Sequence, residues 1–390
     1  MSVSQTPSSQ ADDSNSNVRH ATWLELFYDL VFVVTIAELA ALLSHDVSWR
    51  GLGIFALLFA PIWWTWASHT FYADRFDTDD LPHRLLTAGQ MIAIGALAVS
   101  VHAGTGDSST AFALAYVAAR ITLILLYLRA RRDFPTARPL TTRYAGGFSV
   151  GVVIWLISIL TPAPFRFVLW GIALLVDYAT IPLSPIRPLK TYIPFDNSHL
   201  PERFGLFTII VLGESVLGVV VGVAEHEWQL RSAAAAVCGF AVVLLLWWVY
   251  FSRIEHVHLE RDPGFTGQIW VYLHLPLVMS LTAVGVGIEH LILHAPDARM
   301  LAADRWLVCG AVASSLLATG GIHWASDIHG RDDARLPLRL LSAILALTLA
   351  VGGRDLPPLV IISGLFAICL AQFAPAILDK LQASLIKPQT

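Results

Sequence analysis

Charge is what this chain has least of. Only 14% of its 390 residues are Asp, Glu, Lys or Arg, against roughly 25% in soluble globular proteins, and 56% are hydrophobic. A chain this apolar cannot hide its surface inside one soluble domain. With a mean hydropathy of +0.64, it reads as a polytopic membrane protein whose first partner is the lipid bilayer. The net charge of −4 lacks the basic excess that nucleic-acid binding or a polybasic lipid anchor needs. Cysteine is scarce too. Cys238, Cys309 and Cys369 are odd in number, widely spaced and set in apolar runs, so they form neither a disulfide framework nor a zinc cluster. A phosphate loop, a dinucleotide fingerprint, HExxH and a serine nucleophile elbow are all missing, so no cofactor is expected.

What the chain does have is long apolar runs. They recur over about 23–43, 51–73, 84–104, 110–129, 143–161, 164–183, 203–224, 230–251, 268–290, 300–322, 338–353 and 357–378. They are too long for barrel strands and do not alternate polar with apolar. Helices, which satisfy their own backbone hydrogen bonds in lipid, are the physical solution. The expectation is therefore an all-α transmembrane bundle of about 12 spans. The eleventh run is short for a hydrocarbon core of about 30 Å at about 1.5 Å per residue. Residues 1–18 are rich in Ser, Gln, Asn and Asp and read as a disordered tail rather than a signal peptide, which leaves the first span as its own insertion signal.

Basic residues test the count. With twelve spans and both termini inside, eighteen Arg and Lys fall on the cytoplasmic side and six on the other, with Arg120 inside a span. That bias supports the topology. The halves also echo one another. Leu24-Glu25-Leu26-Phe27 opens the first span and Pro201-Glu202-Arg203-Phe204 the seventh, with Glu38 and Glu214 following after similar intervals. Trp63-Trp64 in the second span matches Trp247-Trp248 in the eighth. Six spans is an even number, so the halves, 19–190 and 191–390, would share one orientation, as in the parallel-repeat plan of some transporters.

The chemistry-bearing candidates are charges at membrane depth, where an acid costs roughly 2.5–3.5 kcal/mol even on lenient scales. Glu25 and Asp29 are four apart, on one helix face, and two neighbouring carboxylates favour sharing a proton or a cation. Glu38 is nine residues further on, half a rotation away and more than about 10 Å deeper, at a depth similar to that expected for Glu214. Glu202 and Arg203 follow Pro201 at a helix start, where an acid complements the dipole. Glu214 follows Gly213, which would allow another helix to approach closely. Arg120 is a natural counter-ion for one of the acids and Asp177 is a second inward acid, and Asp29 with Arg203 or Arg120 would form a charge pair. Isolated histidines in spans, such as His69, His274 and His323, read first as packing residues. His256 and His258, two apart, do not share a helix face, and their mixed-charge surroundings read as a solvated rim, as do those of His323 to His329.

Two segments, Arg19-His20-Ala21-Thr22-Trp23-Leu24-Glu25-Leu26-Phe27-Tyr28-Asp29-Leu30-Val31-Phe32-Val33 and His199-Leu200-Pro201-Glu202-Arg203-Phe204-Gly205-Leu206-Phe207-Thr208-Ile209-Ile210-Val211-Leu212-Gly213-Glu214, resemble the bacterial low temperature requirement protein A family. Tyr28 stands where that family more often has Phe. The resemblance implies a multi-pass protein of the bacterial cytoplasmic (inner) membrane and supplies no established catalytic set. Glu25, Asp29, Glu202, Arg203 and Glu214 lie in the matching segments. The reading that results is a secondary transporter or permeation protein using intramembrane carboxylates, moving an unidentified small molecule with a proton or cation. The alternatives are a membrane-embedded enzyme acting on lipid or lipid-linked groups, with acids and histidines gathered at one bilayer face, and a stress-related membrane protein without turnover.

Overall fold

A computed structural model describes residues 21–76, 78–181, 199–224, 230–254, 264–295, 299–326 and 335–375. The described residues form twelve α-helices and no strands: α1 (Trp23–His45), α2 (Trp49–Arg75), α3 (Leu81–Ser100), α4 (Ser109–Asp133), α5 (Arg138–Ile159), α6 (Phe165–Thr180), α7 (His199–Ala224), α8 (Leu230–Ile254), α9 (Gly264–Leu293), α10 (Ala302–Ser326), α11 (Arg335–Gly352) and α12 (Pro358–Leu370). Each expected span falls on one of them. Nine are long and apolar enough to cross a membrane, so the chain is a helical, multi-pass membrane protein. The expected short span is misplaced. α11 with its following 3₁₀ turn reaches 21 residues, whereas α6 has 16 and α12 has 13. The polar tail 1–18, most of the 253–261 run and residues 327–329 lie outside the described residues.

Local chemistry starts these helices where they start. Thr22 caps α1 through a reciprocal box: its hydroxyl accepts from the Glu25 amide at 3.3 Å, and the Glu25 carboxylate accepts from the Thr22 amide at 2.7 Å. Ser48 caps α2 by accepting from Gly51 N–H at 3.2 Å. Asp80 caps α3 by accepting from His83 N–H at 3.0 Å. That bond, reinforced by Arg129, holds the exposed Asp80 carboxyl below its usual range.

Packing follows one scheme twice. In the first half α1 packs on α2 and α3, α3 on α4, α4 on α5, and α2 on α4 and α6. In the second half α7 packs on α8 and α9, α9 on α10, α10 on α11, and α8 on α10 and α12. The halves meet where α1 and α2 lie against α7 and α9. Aromatic rings fill that junction. Trp66 stacks on Phe207 at 4.2 Å and meets Phe204 edge-on at 4.9 Å, while Phe204 contacts Trp270 and His274. The two tryptophan pairs part company: Trp63 and Trp64 are fully buried, whereas Trp247 and Trp248 are 40% and 53% exposed.

The close approach of α7 to α9 does not use Gly213, which has nothing within 4 Å of where a Cβ would stand. Ser215, Gly218 and Gly222 make it instead. They recur at helical spacing, about half a turn around α7 from Gly213. A Cβ on Gly218 would stand 2.7 Å from the Gly285 carbonyl oxygen of α9, and the Ser215 hydroxyl donates to Leu281 O at 2.8 Å. Small residues thus let two backbones touch, the device membrane helices use in place of a hydrophobic drive.

Candidate functional site

The charges nearest the junction form a ladder between α1 and α7. Glu25 and Asp29 present one face of α1, and His199 and Arg203, also four apart, present one face of α7. The lower rung joins Arg203 Nη2 to Asp29 Oδ1 at 2.8 Å. The upper rung brings His199 Nε2 within 3.7 Å of Glu25 Oε2. Residue numbers rise together on both sides, so α1 and α7 run in the same direction. α2 completes the site. Trp66 Nε1 donates to Asp29 Oδ1 at 2.7 Å, and Asp74 Oδ1 lies 3.0 Å from His199 Nδ1. Asp29, Asp74, His199 and Arg203 are all buried.

Electrostatic pairing here is strong but incomplete. Among the described residues, Asp29 Oδ2, Arg203 Nε and Nη1, Tyr28 Oη and His69 Nδ1 are buried without a hydrogen-bond partner. Tyr28 stacks on His69 with ring centroids 4.1 Å apart. Leaving a buried polar atom unsatisfied costs roughly 1–3 kcal/mol, and folded proteins seldom do so. Arg120 Nη2 and Asp177 Oδ1 are in the same condition, so such atoms do not by themselves mark a site.

Arg120 does not serve the first-span acids. It pairs with Asp177 at 3.2 Å, donates from Nε to Tyr116 Oη at 2.8 Å and from Nη1 to Ser68 Oγ at 2.6 Å, and lies over the rings of Tyr116 and Phe148. Tyr116 Oη donates in turn to Asp177 Oδ2 at 2.7 Å. The carboxylate also fills the space beside Gly151, where a Cβ would stand 2.3 Å from Asp177 Oδ1. This network ties α2, α4, α5 and α6 together inside the first half.

Glu38 and Glu214 do not join the ladder. Glu38 is half-exposed and pairs with His102 at 2.8 Å, just past the end of α3. Glu214 is partly buried and feels the charge of Glu289. It stands eleven residues beyond Arg203, roughly 16 Å along α7. Glu202 is half-buried in the first turn of α7. Sequence reasoning overlooked His199, Asp74 and Trp66. The available signal was the repeated i, i+4 spacing, His199 to Arg203 against Glu25 to Asp29. His323 is a packing residue, accepting from Arg339 at 2.7 Å and donating to Tyr250 O at 3.1 Å. Among the described residues no group of three or more His, Cys, Asp or Glu is placed to hold a metal.

Comparison with known proteins matches this chain to the same two segments and far beyond them. A curated protein of Rhizobium meliloti (strain 1021), described as uncharacterized, is 30% identical over 298 residues, 72% of this chain and 71% of the relative. The model of the family described as bacterial low temperature requirement A protein (LtrA) matches residues 20–374, both rungs of the ladder included. The chain therefore belongs to the LtrA family of membrane proteins.

Proposed function

We propose that this protein is a secondary transporter or permeation protein of the bacterial cytoplasmic membrane, and that the α1–α2–α7 ladder is its polar binding element. The observation that carries the reading is that buried charges of α1 and α2 pair across the seam with those of α7, Asp29 with Arg203 and both Glu25 and Asp74 with His199. The Arg120–Asp177 pair, by contrast, stays within one half. The duplicated packing scheme and the common direction of α1 and α7 support two six-helix units in parallel orientation, with a site at the repeat interface. The excess of Arg and Lys on alternate loops supports cytoplasmic termini.

In this reading the Asp29–Arg203 pair exchanges partners. A polar solute or an ion binds the free guanidinium and carboxylate edges in one state, and the pair closes on itself in the other. The test is flux in proteoliposomes over a panel of small polar solutes, with and without an imposed pH gradient. Asp29→Asn keeps the shape and the Trp66 contact but removes the charge. It should lower flux by about tenfold or more, a coupling near 1.4 kcal/mol. Flux unchanged by Asp29→Asn and indifferent to the gradient would remove the ladder from transport.

A further inference from the structure

At the other end of α1, three side chains from three helices form a hydrogen-bonded chain. Ser44 is the penultimate residue of α1, His290 stands in the last turn of α9, and Asp304 in the first turn of α10. Ser44 Oγ lies 2.9 Å from His290 Nε2, and His290 Nδ1 lies 2.9 Å from Asp304 Oδ1. Burial is graded along the chain. The Asp304 side chain is 1% exposed and that of His290 15%, and Ser44 is partly exposed. With its proton on Nδ1, His290 donates to Asp304 and presents Nε2 as the acceptor for the Ser44 hydroxyl. Serines within these helices usually bond back to the carbonyl four residues earlier, as Ser68, Ser100 and Ser149 do. Ser44 instead reaches a histidine 246 positions away.

We propose that Ser44, His290 and Asp304 form an acyl-transfer triad, with Ser44 as nucleophile, His290 as general base and Asp304 as the positioning residue, acting on an ester.

The step balances without any redox partner. Ser44 Oγ adds to the ester carbonyl carbon as its proton moves to His290 Nε2. The bond from that carbon to the alcohol oxygen breaks, and His290 returns the proton to the departing oxygen. An acyl ester remains on Ser44. Water, deprotonated by His290, then adds to it, the bond to Oγ breaks, and Ser44 recovers its proton. The net change is ester plus water to acid plus alcohol.

The experiment is covalent labelling of the purified full-length protein with a fluorophosphonate, followed by peptide mass spectrometry. The expected adduct is on Ser44. It should be absent in Ser44→Ala and form about a hundredfold more slowly in His290→Gln, with Asp304→Asn also slowed and each variant eluting as a monodisperse species. No adduct on monodisperse wild-type protein would overturn the proposal, as would wild-type labelling rates in His290→Gln. A second arm identifies the source of the ester. Fatty acid released from phosphatidylglycerol vesicles assigns a lipid ester, and hydrolysis of p-nitrophenyl butyrate alone assigns a soluble one. Turnover of neither overturns the proposed activity. The triad lies fifteen residues beyond Asp29, roughly 22 Å along α1, so its failure and that of the ladder are separately readable.

Discussion

Two buried arginine–aspartate pairs sit in this membrane protein, and they are built to different ends. Arg120 and Asp177 belong to one half. They share Tyr116, while Arg120 also reaches Ser68 and the faces of two rings. Arg203 and Asp29 cross the seam between halves, and Trp66 of α2 donates to the same Asp29 oxygen that Arg203 meets. Burial alone does not mark a working site, since all four residues are buried. What separates the pairs is position, since each leaves guanidinium and carboxylate atoms without a hydrogen bond. A network within one packed unit resists change, whereas a pair between two units can exchange partners when they move.

The largest expected effect breaks the pair held within one half. Arg120→Ala leaves Asp177 as an uncompensated charge among α4, α5 and α6, which should cost about 3–5 kcal/mol. Thermal unfolding of the detergent-solubilised protein measures it, and a melting curve like that of wild type would show that the first half does not depend on this network. Asp29→Asn should do the reverse. Its loss of flux should exceed its loss of stability, because Trp66 and Arg203 still find an amide oxygen. If the two variants lowered stability equally and neither altered flux in the protein that remained folded, the contrast between the pairs would vanish.

The architecture was legible in the sequence because hydrophobic length is a local property. Each of the twelve runs can be read without knowing its neighbours, and each falls on a helix. The membrane-depth charges were legible for the same reason, since an acid in an apolar run is conspicuous. Their partners were legible only in part, since Asp29 could meet Arg203 or Arg120 and the structure gives it Arg203. Arg120 stood out as a counter-ion, but periodicity alone cannot distinguish Asp29 from Asp177 as the acid it meets. Glu38 and Glu214 looked alike by interval, yet one meets His102 at a helix end and the other lies near Glu289. Ser44, His290 and Asp304 were invisible as a set, because 246 residues separate the hydroxyl from the imidazole and nothing local distinguishes that serine. The glycine argument failed through helical phase. Gly213 precedes the conspicuous acid, but Gly218 and Gly222 share the face of Ser215 that meets α9.

That phase error gives an intermediate test, on packing rather than charge. Gly218→Ala places a methyl 2.7 Å from a backbone carbonyl, which cannot turn aside as a side chain would. Separating α7 from α9 to admit it should cost about 1–3 kcal/mol. Gly213→Ala meets nothing and should leave the melting curve unmoved, or raise it slightly as helix propensity improves. Because α7 carries Arg203 and α9 lies against α1, displacement by Gly218→Ala should reach the ladder too. Flux that fell with stability in Gly218→Ala but not in Gly213→Ala would tie the seam to the packing of the second half.

The smallest effect concerns Glu38. Its pair with His102 is open to the surroundings, with side chains 38% and 64% exposed. Exposed pairs contribute about 0–1 kcal/mol, because screening and side-chain entropy offset most of the attraction. Glu38→Gln should therefore shift stability by less than about 1 kcal/mol and leave flux at the wild-type level, while Asp29→Asn, nine residues earlier on the same helix, abolishes most of it. Measuring the two variants in the same vesicles decides whether α1 carries one working acid or several. A loss of flux in Glu38→Gln as large as that in Asp29→Asn would mean that the polar path runs the length of α1, from the ladder to the border where His102 stands.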